Sequence, residues 1–301
     1  MPRPVARRLT AALLATGLLL AGCASDDEPA ADKATTTTSA AAEALTTDDV
    51  AGTSDDPGIV EALSAYQPYV QQQVATIATD VKRFTDAVRA GDIERAKELY
   101  PASRQAFTRI EPLVPLIADV ADVIEAEPPA DGDADDPGLT GWHQLEWDLW
   151  VAEDVSDSAA TADQLDAEAA KLSAAVTDFT VTPRAMVRAV ALLMDWAADD
   201  AATGAGEPWS HTDMWTLAAR VDAANAARQM LRGALSEADP DLAARIDDAN
   251  EEAVNALKPY RSTGAWTPYD EVSEDERAEL ESRFRRLAER LAEMPEALGL
   301  T

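Results

Sequence analysis

The chain has 301 residues, with 56 Asp and Glu against 25 Lys and Arg, giving a formal net charge of −31 at pH 7. A surface of that sign repels nucleic acid and anionic lipid and draws cations, so nucleic acid is excluded as a partner. The chain contains a single cysteine, so no internal disulfide can staple the fold, and a hydrophobic core must hold it instead, which a chain this long can supply.

Arg3, Arg7 and Arg8 precede an apolar run from Leu9 to Leu20 that is interrupted only by small residues. That run is shorter than the roughly 20 residues a membrane-spanning helix needs, and its layout is that of a signal peptide. Leu20-Ala21-Gly22-Cys23 follows directly and resembles the bacterial lipobox, in which the thiol is acylated and becomes the new N-terminus. Residues 1–22 are therefore read as a lipoprotein signal peptide and Cys23 as the lipidated residue. The protein is expected outside the cytoplasmic membrane, on its periplasmic or cell-wall side, held there by lipid alone. Arg7-Arg8 leaves both Sec and twin-arginine export open.

Residues 23–57 are mostly Ala, Thr, Ser, Asp and Glu, with Leu45 and Val50 the larger apolar exceptions. Such a stretch buries too little surface to offset ordering and is expected to be a disordered tether, spanning roughly 30 Å as a flexible coil.

From residue 58 to 301 the apolar spacing is helical, and the expected class is all-α, two helical bundles packed together. Val70, Val74, Ile77, Val81, Phe84 and Val88 recur at intervals of four and three, one face of a helix. Gly91 closes it, and Asp92 caps a second helix carrying Ile93, Ala96 and Leu99. Pro101, Pro112 and Pro115 are expected to divide the next stretch into shorter helical pieces. An acidic, Pro-rich loop follows from Glu125 to Gly138. Leu165, Ala169, Leu172 and Val176 mark another helix, and Thr182-Pro183 reads as an N-cap and first helical residue. Ser210 and Asp213 have capping-box spacing ahead of Met214, Leu217 and Val221. Asp239-Pro240 opens a further helix, and Ser273 with Glu276 caps the last, whose stripe is Leu280, Phe284, Leu287, Leu291 and Met294. No sustained alternation of period two appears.

The chain has two histidines. His143 lies three residues before Glu146, so on a helix both project from one face, about 5–6 Å apart at Cβ. An imidazole and a carboxylate so spaced can bind one metal ion, in the reverse order of the Glu-x-x-His pairs of di-metal bundles. A buried histidine bonded to a helix neighbour gives the same spacing, so the spacing alone leaves both readings open. His211 and Asp213 stand at the start of a helix, where Asp213 also serves the first turn through the helix dipole. Glu111, before Pro112, has nothing local to single it out.

Several of these segments together resemble one family. Val88-Arg89-Ala90-Gly91-Asp92 with Ala96-Lys97-Glu98-Leu99-Tyr100, Ile110-Glu111-Pro112, Gly141-Trp142-His143-x-x-Glu146, Trp209-Ser210-His211-Thr212-Asp213-Met214-Trp215, and the tail from Pro268 to Pro295 are similar, in order, to the EfeO/imelysin-like family over about residues 58–300. The resemblance implies an extracytoplasmic, non-catalytic component of a ferrous or ferric iron uptake system, working with an EfeU-like iron permease and an EfeB-like haem peroxidase. By motif match His143 and Glu146 would be metal ligands with Glu111 as a third, and Asp213 with His211 would close the site from the second half. Carboxylates with an imidazole suit iron, and equally manganese or zinc, better than copper(I). Gln144 and Trp147 stand where the family pattern has basic residues, and the tether is too short for the N-terminal cupredoxin domain that many members carry, so a short form is expected.

Two alternatives belong to other classes. One is a metal-dependent peptidase, although the chain lacks the His-Glu-x-x-His pair of zinc proteases. The other is a metal-bridged polysaccharide-binding protein, suggested by seven Trp residues, of which Trp209 and Trp266 lie near loops.

Overall fold

The computed structural model of the protein describes residues 44–126 and 139–300, and helices dominate it. The expected signal segment, Cys23 and the acidic loop from residue 127 to 138 lie outside the described residues. Helix α1 (Pro57–Arg89) starts where the Asp56 carboxylate accepts the Ile59 N–H at 3.0 Å. Its apolar stripe from Val70 to Val88 is buried, as the four-three spacing predicts. The chain turns at Gly91, and Asp92 accepts the Arg95 N–H at 3.1 Å to open α2 (Ile93–Thr108).

Pro101 does not break α2, contrary to the sequence expectation: the helix runs through it to Thr108, with Pro101 buried on its inner face. One missing N–H costs a single turn of the ladder, which packing on both sides offsets. Pro112 and Pro115 do punctuate the chain, at the starts of a 3₁₀ turn and of the short α3 (Val114–Ile117). After α4 (Ala121–Ile124), α5 (Gly141–Trp147) runs into a π-helical turn at Asp148–Ala152, and α6 (Ala159–Ala175) follows.

The second half begins with α7 (Pro183–Thr203), capped by Thr182 as its Thr-Pro pair predicts, the hydroxyl accepting the Ala185 N–H at 3.1 Å. Next come α8 (Asp213–Ala238) and α9 (Pro240–Leu257), the latter capped by Asp239. A two-residue hairpin, β1 (Arg261–Ser262) with β2 (Ala265–Trp266), interrupts the helices; it is too short for an alternating pattern to announce it. The Ser273–Glu276 capping box then opens α10 (Glu274–Ala292). Ser210 and Asp213, by contrast, do not form a box: Asp213 is the first helical residue and Ser210 lies outside.

Helix α1 packs on α2 and α6, and α5 on α6, forming one bundle; α7, α8, α9 and α10 pack on one another as the second. Helix α8 also lies against α1 and α2, so the two bundles share one continuous apolar core.

The last part of the expected tether belongs to the folded unit. Leu45 is buried, Thr46 and Asp49 form a capping box around a 3₁₀ turn, and Asp49 pairs with Arg188 of α7 while the Thr182 hydroxyl donates to its carbonyl. A single leucine and a paired carboxylate suffice here because α7 already presents their partners.

Gly141 has φ +61, and a Cβ there would stand 2.0 Å from the Ile124 carbonyl oxygen. Gly91 has φ +70 with open space around it. Gly141→Ala is therefore expected to cost roughly 3 kcal/mol or more, and Gly91→Ala about 1 kcal/mol of backbone strain alone. Urea unfolding of both variants checks this; equal losses would contradict the close approach at Gly141.

Candidate metal centre

Helix α5 is short, yet its entry is fixed from two sides: Gly141 packs against Ile124, and the Thr140 hydroxyl donates to the Val123 carbonyl at 3.0 Å. One turn later the i, i+3 spacing brings His143 Nδ1 to 2.9 Å from Glu146 Oε2. Both side chains are buried, His143 at 3% exposure and Glu146 at 0%. The other ring nitrogen, Nε2, lies 3.2 Å from Glu125 Oε1. Behind them Trp142 fills the core, edge-on to Phe107 with its indole N–H on Ser103.

The loop between α7 and α8 closes this group. The backbone N–H groups of Ser210 and Trp209 donate to Glu146 Oε1 at 2.8 and 3.3 Å. From the same loop comes Glu207, 1% exposed, which accepts the Tyr100 hydroxyl and the Thr216 hydroxyl, each at 2.9 Å. Ligand atoms of His143, Glu146 and Glu207 all lie within 4.8 Å of one another.

Arg104 of α2 is the nearest fixed cation. It pairs with Glu125, and its Nε stands 2.9 Å from Glu207 Oε1 without the alignment of a hydrogen bond. Beside this group opens a cavity of about 260 Å³. Glu111, Asp200 and Arg220 line it together with His143, Glu125 and Arg104, Arg220 bridging the two carboxylates. Asp213 accepts the Glu207 N–H at 3.1 Å through Oδ1, while its Oδ2 and Glu125 Oε2 are buried without a hydrogen-bond partner.

Protonation follows from this crowding. Burial and Arg104 both disfavour charge on His143, but its hydrogen bonds to Glu125 and Glu146 prevail and raise its pKa to about 9. Burial raises Glu207 to about 7 against the pull of Arg104. Burial likewise raises Asp213 well above the usual carboxylate range, with Glu207 adding to it, and raises Glu111 despite Arg220. For Glu125 burial is outweighed by Arg104 and His143, which hold it at about 2; Glu146 is lowered by its bond to His143, again against burial. A protonated imidazole thus sits among three carboxylates, in a place where a metal cation would meet the same donors. Two carboxylate oxygens already buried without partners fit a set of hard and borderline ligands.

The candidates read from the sequence are distributed as follows. His143 and Glu146 meet. Glu111 lines the same cavity as His143, held by Arg220, and Asp213 reaches the group through the Glu207 backbone. His211 is not brought in: it is half-buried with φ +54, its backbone is used by Glu207 and Tyr269, and its ring has no hydrogen-bond or ion-pair partner among the described residues. Glu207 and Glu125 were missed. Glu125 opens what reads as a solvated acidic loop; Glu207, between Gly206 and Pro208, is one of 56 acids with only its turn context to mark it.

The sequence model of the imelysin family matches residues 62–294. The chain is 34% identical over 240 residues to proteins called iron uptake system component EfeO from Escherichia coli strain K12, Escherichia coli O157:H7 and Shigella flexneri. Each match covers 79% of this chain and 64% of the relative, so the chain spans less than two thirds of their length.

A group whose pKa is raised on folding stabilises the fold below its unfolded value and loses that contribution as pH climbs through the folded value. His143 and Glu207, raised to about 9 and 7, should therefore make the metal-free protein lose thermal stability as pH rises from about 5 to 9. Differential scanning calorimetry across that range checks it. His143→Gln is expected to flatten the part of the fall above pH 7, and an unaltered slope in that variant would contradict the assignment.

Proposed function

The chain belongs to the imelysin family, and from that premise we propose that it binds iron outside the cytoplasmic membrane as a component of an iron uptake system. The observation that carries the proposal is the convergence of His143, Glu146 and Glu207 within 4.8 Å, in a pocket where carboxyl groups outnumber the guanidinium groups that balance them. The relatives' name, iron uptake system component EfeO, supplies the cargo. In this reading iron, ferrous or ferric, takes the position of the His143 proton, and manganese or zinc competes for the same donors. Glu125 and Arg104 orient the ligands. Glu111 and Asp200 line the approach through the cavity, with Arg220 limiting the charge.

The same resemblance makes the partners a membrane permease that accepts the ion and a haem peroxidase of the same system. A lipid on Cys23 would keep the domain at the membrane, in keeping with the finding that no helix among the described residues is long and apolar enough to cross one. Catalysis has no part in this reading.

One observation speaks for a second reading, a metal-dependent peptidase: Glu207, lifted to about 7, lies in the range where a general base works. Digestion of casein or a peptide library by the metal-loaded protein decides the matter. Cleavage lost in Glu146→Ala would favour the peptidase, and no cleavage would remove it.

The binding proposal is checked by titration calorimetry of the full chain with Fe(II), Fe(III), Mn(II) and Zn(II). His143→Ala, Glu146→Ala and Glu207→Ala are each expected to lower affinity by about 100-fold or more, and Glu125→Gln by about 10–100-fold. Affinity should also rise with pH between about 6 and 9, because the ion displaces the His143 proton. Unchanged affinity in all three alanine variants would place the ligands elsewhere.

A further inference from the structure

Among the described residues nearly every cation has a partner. Along the helices Arg83, Arg89, Arg95, Arg228, Arg283 and Arg286 each have a carboxylate within 3.3 Å, as expected where acids outnumber bases 56 to 25. One groove departs from that pattern. On its rim, Lys258 and Arg261 have no carboxylate within ion-pairing distance among the described residues. Arg109 reaches Asp222 only at 3.7 Å, with no hydrogen bond. Elsewhere among the described residues only Lys97 and Arg277 lack a carboxylate, and they rest on Trp150 and on two backbone carbonyls.

The groove lies where α2, α8, α9 and the hairpin meet, and encloses about 300 Å³. Its floor is apolar, including the buried Val221 and Leu257, and Trp215 and Trp266 form half-buried walls. Arg261 lies over the Trp266 ring at 5.5 Å. Aromatic faces above an apolar floor, with guanidinium groups at the edge, are the means by which proteins hold a flat molecule bearing an anionic group.

We propose that this groove binds a small planar carboxylate, an aromatic acid of one or two rings, with its ring between Trp215 and Trp266 and its carboxylate on Arg109 and Arg261. Lys258 and Arg261, with Arg109 only loosely paired to Asp222 of the same groove, set the charge at the mouth of a cavity walled by two indoles; the volume sets the size. The site is separate from the His143 centre, and its test does not depend on metal binding.

The probe is 2-naphthoate, titrated into the full chain and followed by indole fluorescence and calorimetry. The controls are 2-naphthalenemethanol, a ring without charge, and acetate, a charge without a ring. Naphthoate is expected to bind at one site at least tenfold more tightly than either control. Trp266→Leu and the double variant Arg109→Gln, Arg261→Gln should each weaken it at least tenfold with helicity by circular dichroism unchanged. If either variant unfolds, salt gives a second readout: exposed cations are screened, so wild-type affinity should fall several-fold between about 20 and 300 mM salt. Equal binding of the neutral ring, indifference to both variants, or indifference to salt would each overturn the proposal. A response to polyglutamate with none to naphthoate would assign the groove to an acidic polypeptide and overturn it as well.

Discussion

A carboxylate taken out of water needs a cation beside it, and the region between α2, α5, α7 and α8 is organised by that requirement. Glu111, Glu125, Glu146, Asp200 and Glu207 share Arg104, Arg220 and the His143 ring, and Asp213, with no cation beside it, has its pKa raised by burial instead. The arrangement does little for stability, since a buried ion network seldom outperforms apolar packing of the same volume. What it does is position. Arg104 ties α2 to the α4 end and to the α7–α8 loop, and Arg220 ties α8 to α7 and to the turn at Glu111. The two bundles meet through charge as well as through apolar contact, and the charge is unbalanced in favour of a further cation.

That imbalance is held in place by local structure. The left-handed Gly141 lets α5 begin against Ile124, which sets His143 and Glu146 facing inward one turn later. On the other side, Asp213 as the first residue of α8 accepts the Glu207 N–H and keeps the loop folded over the pair. Helices α2 and α8 each present two working faces. Tyr100, Arg104 and Thr216 face the charged centre, while Gln105, Trp215 and Val221 line the aromatic groove.

The helices were legible because their apolar residues repeat at four and three, and several of their starts because Asp92, Thr182, Asp239 and Ser273 cap them locally. Pro101 was misread because tertiary packing overrides a single missing hydrogen bond, and Ser210 because a loop bond to Glu146 takes its N–H instead of a capping role. The His143–Glu146 half of the centre is a local pattern and shows in the sequence. Glu125 and Glu207 reach it from other elements, 18 residues before His143 and 61 after Glu146, and no periodicity records a contact of that kind. The groove was half visible: Trp266 stood out beside a loop, whereas Trp215 sits inside a helix that reads as core.

Tyr269 bears on how the loop over the charged centre is held. Its hydroxyl donates to the Ala201 carbonyl, its N–H donates to the His211 carbonyl at 2.9 Å, and its ring lies so near Gly204 that a Cβ there would stand 2.5 Å away. Arg277, near the start of α10, then lies over that ring and donates to the Tyr269 carbonyl. The segment carrying Glu207 is thus bolted from outside to the second bundle. It cannot swing aside as a flap without breaking these contacts and so disturbing the start of α10. Glu207 therefore belongs mechanically to the second bundle, although the histidine it faces belongs to the first.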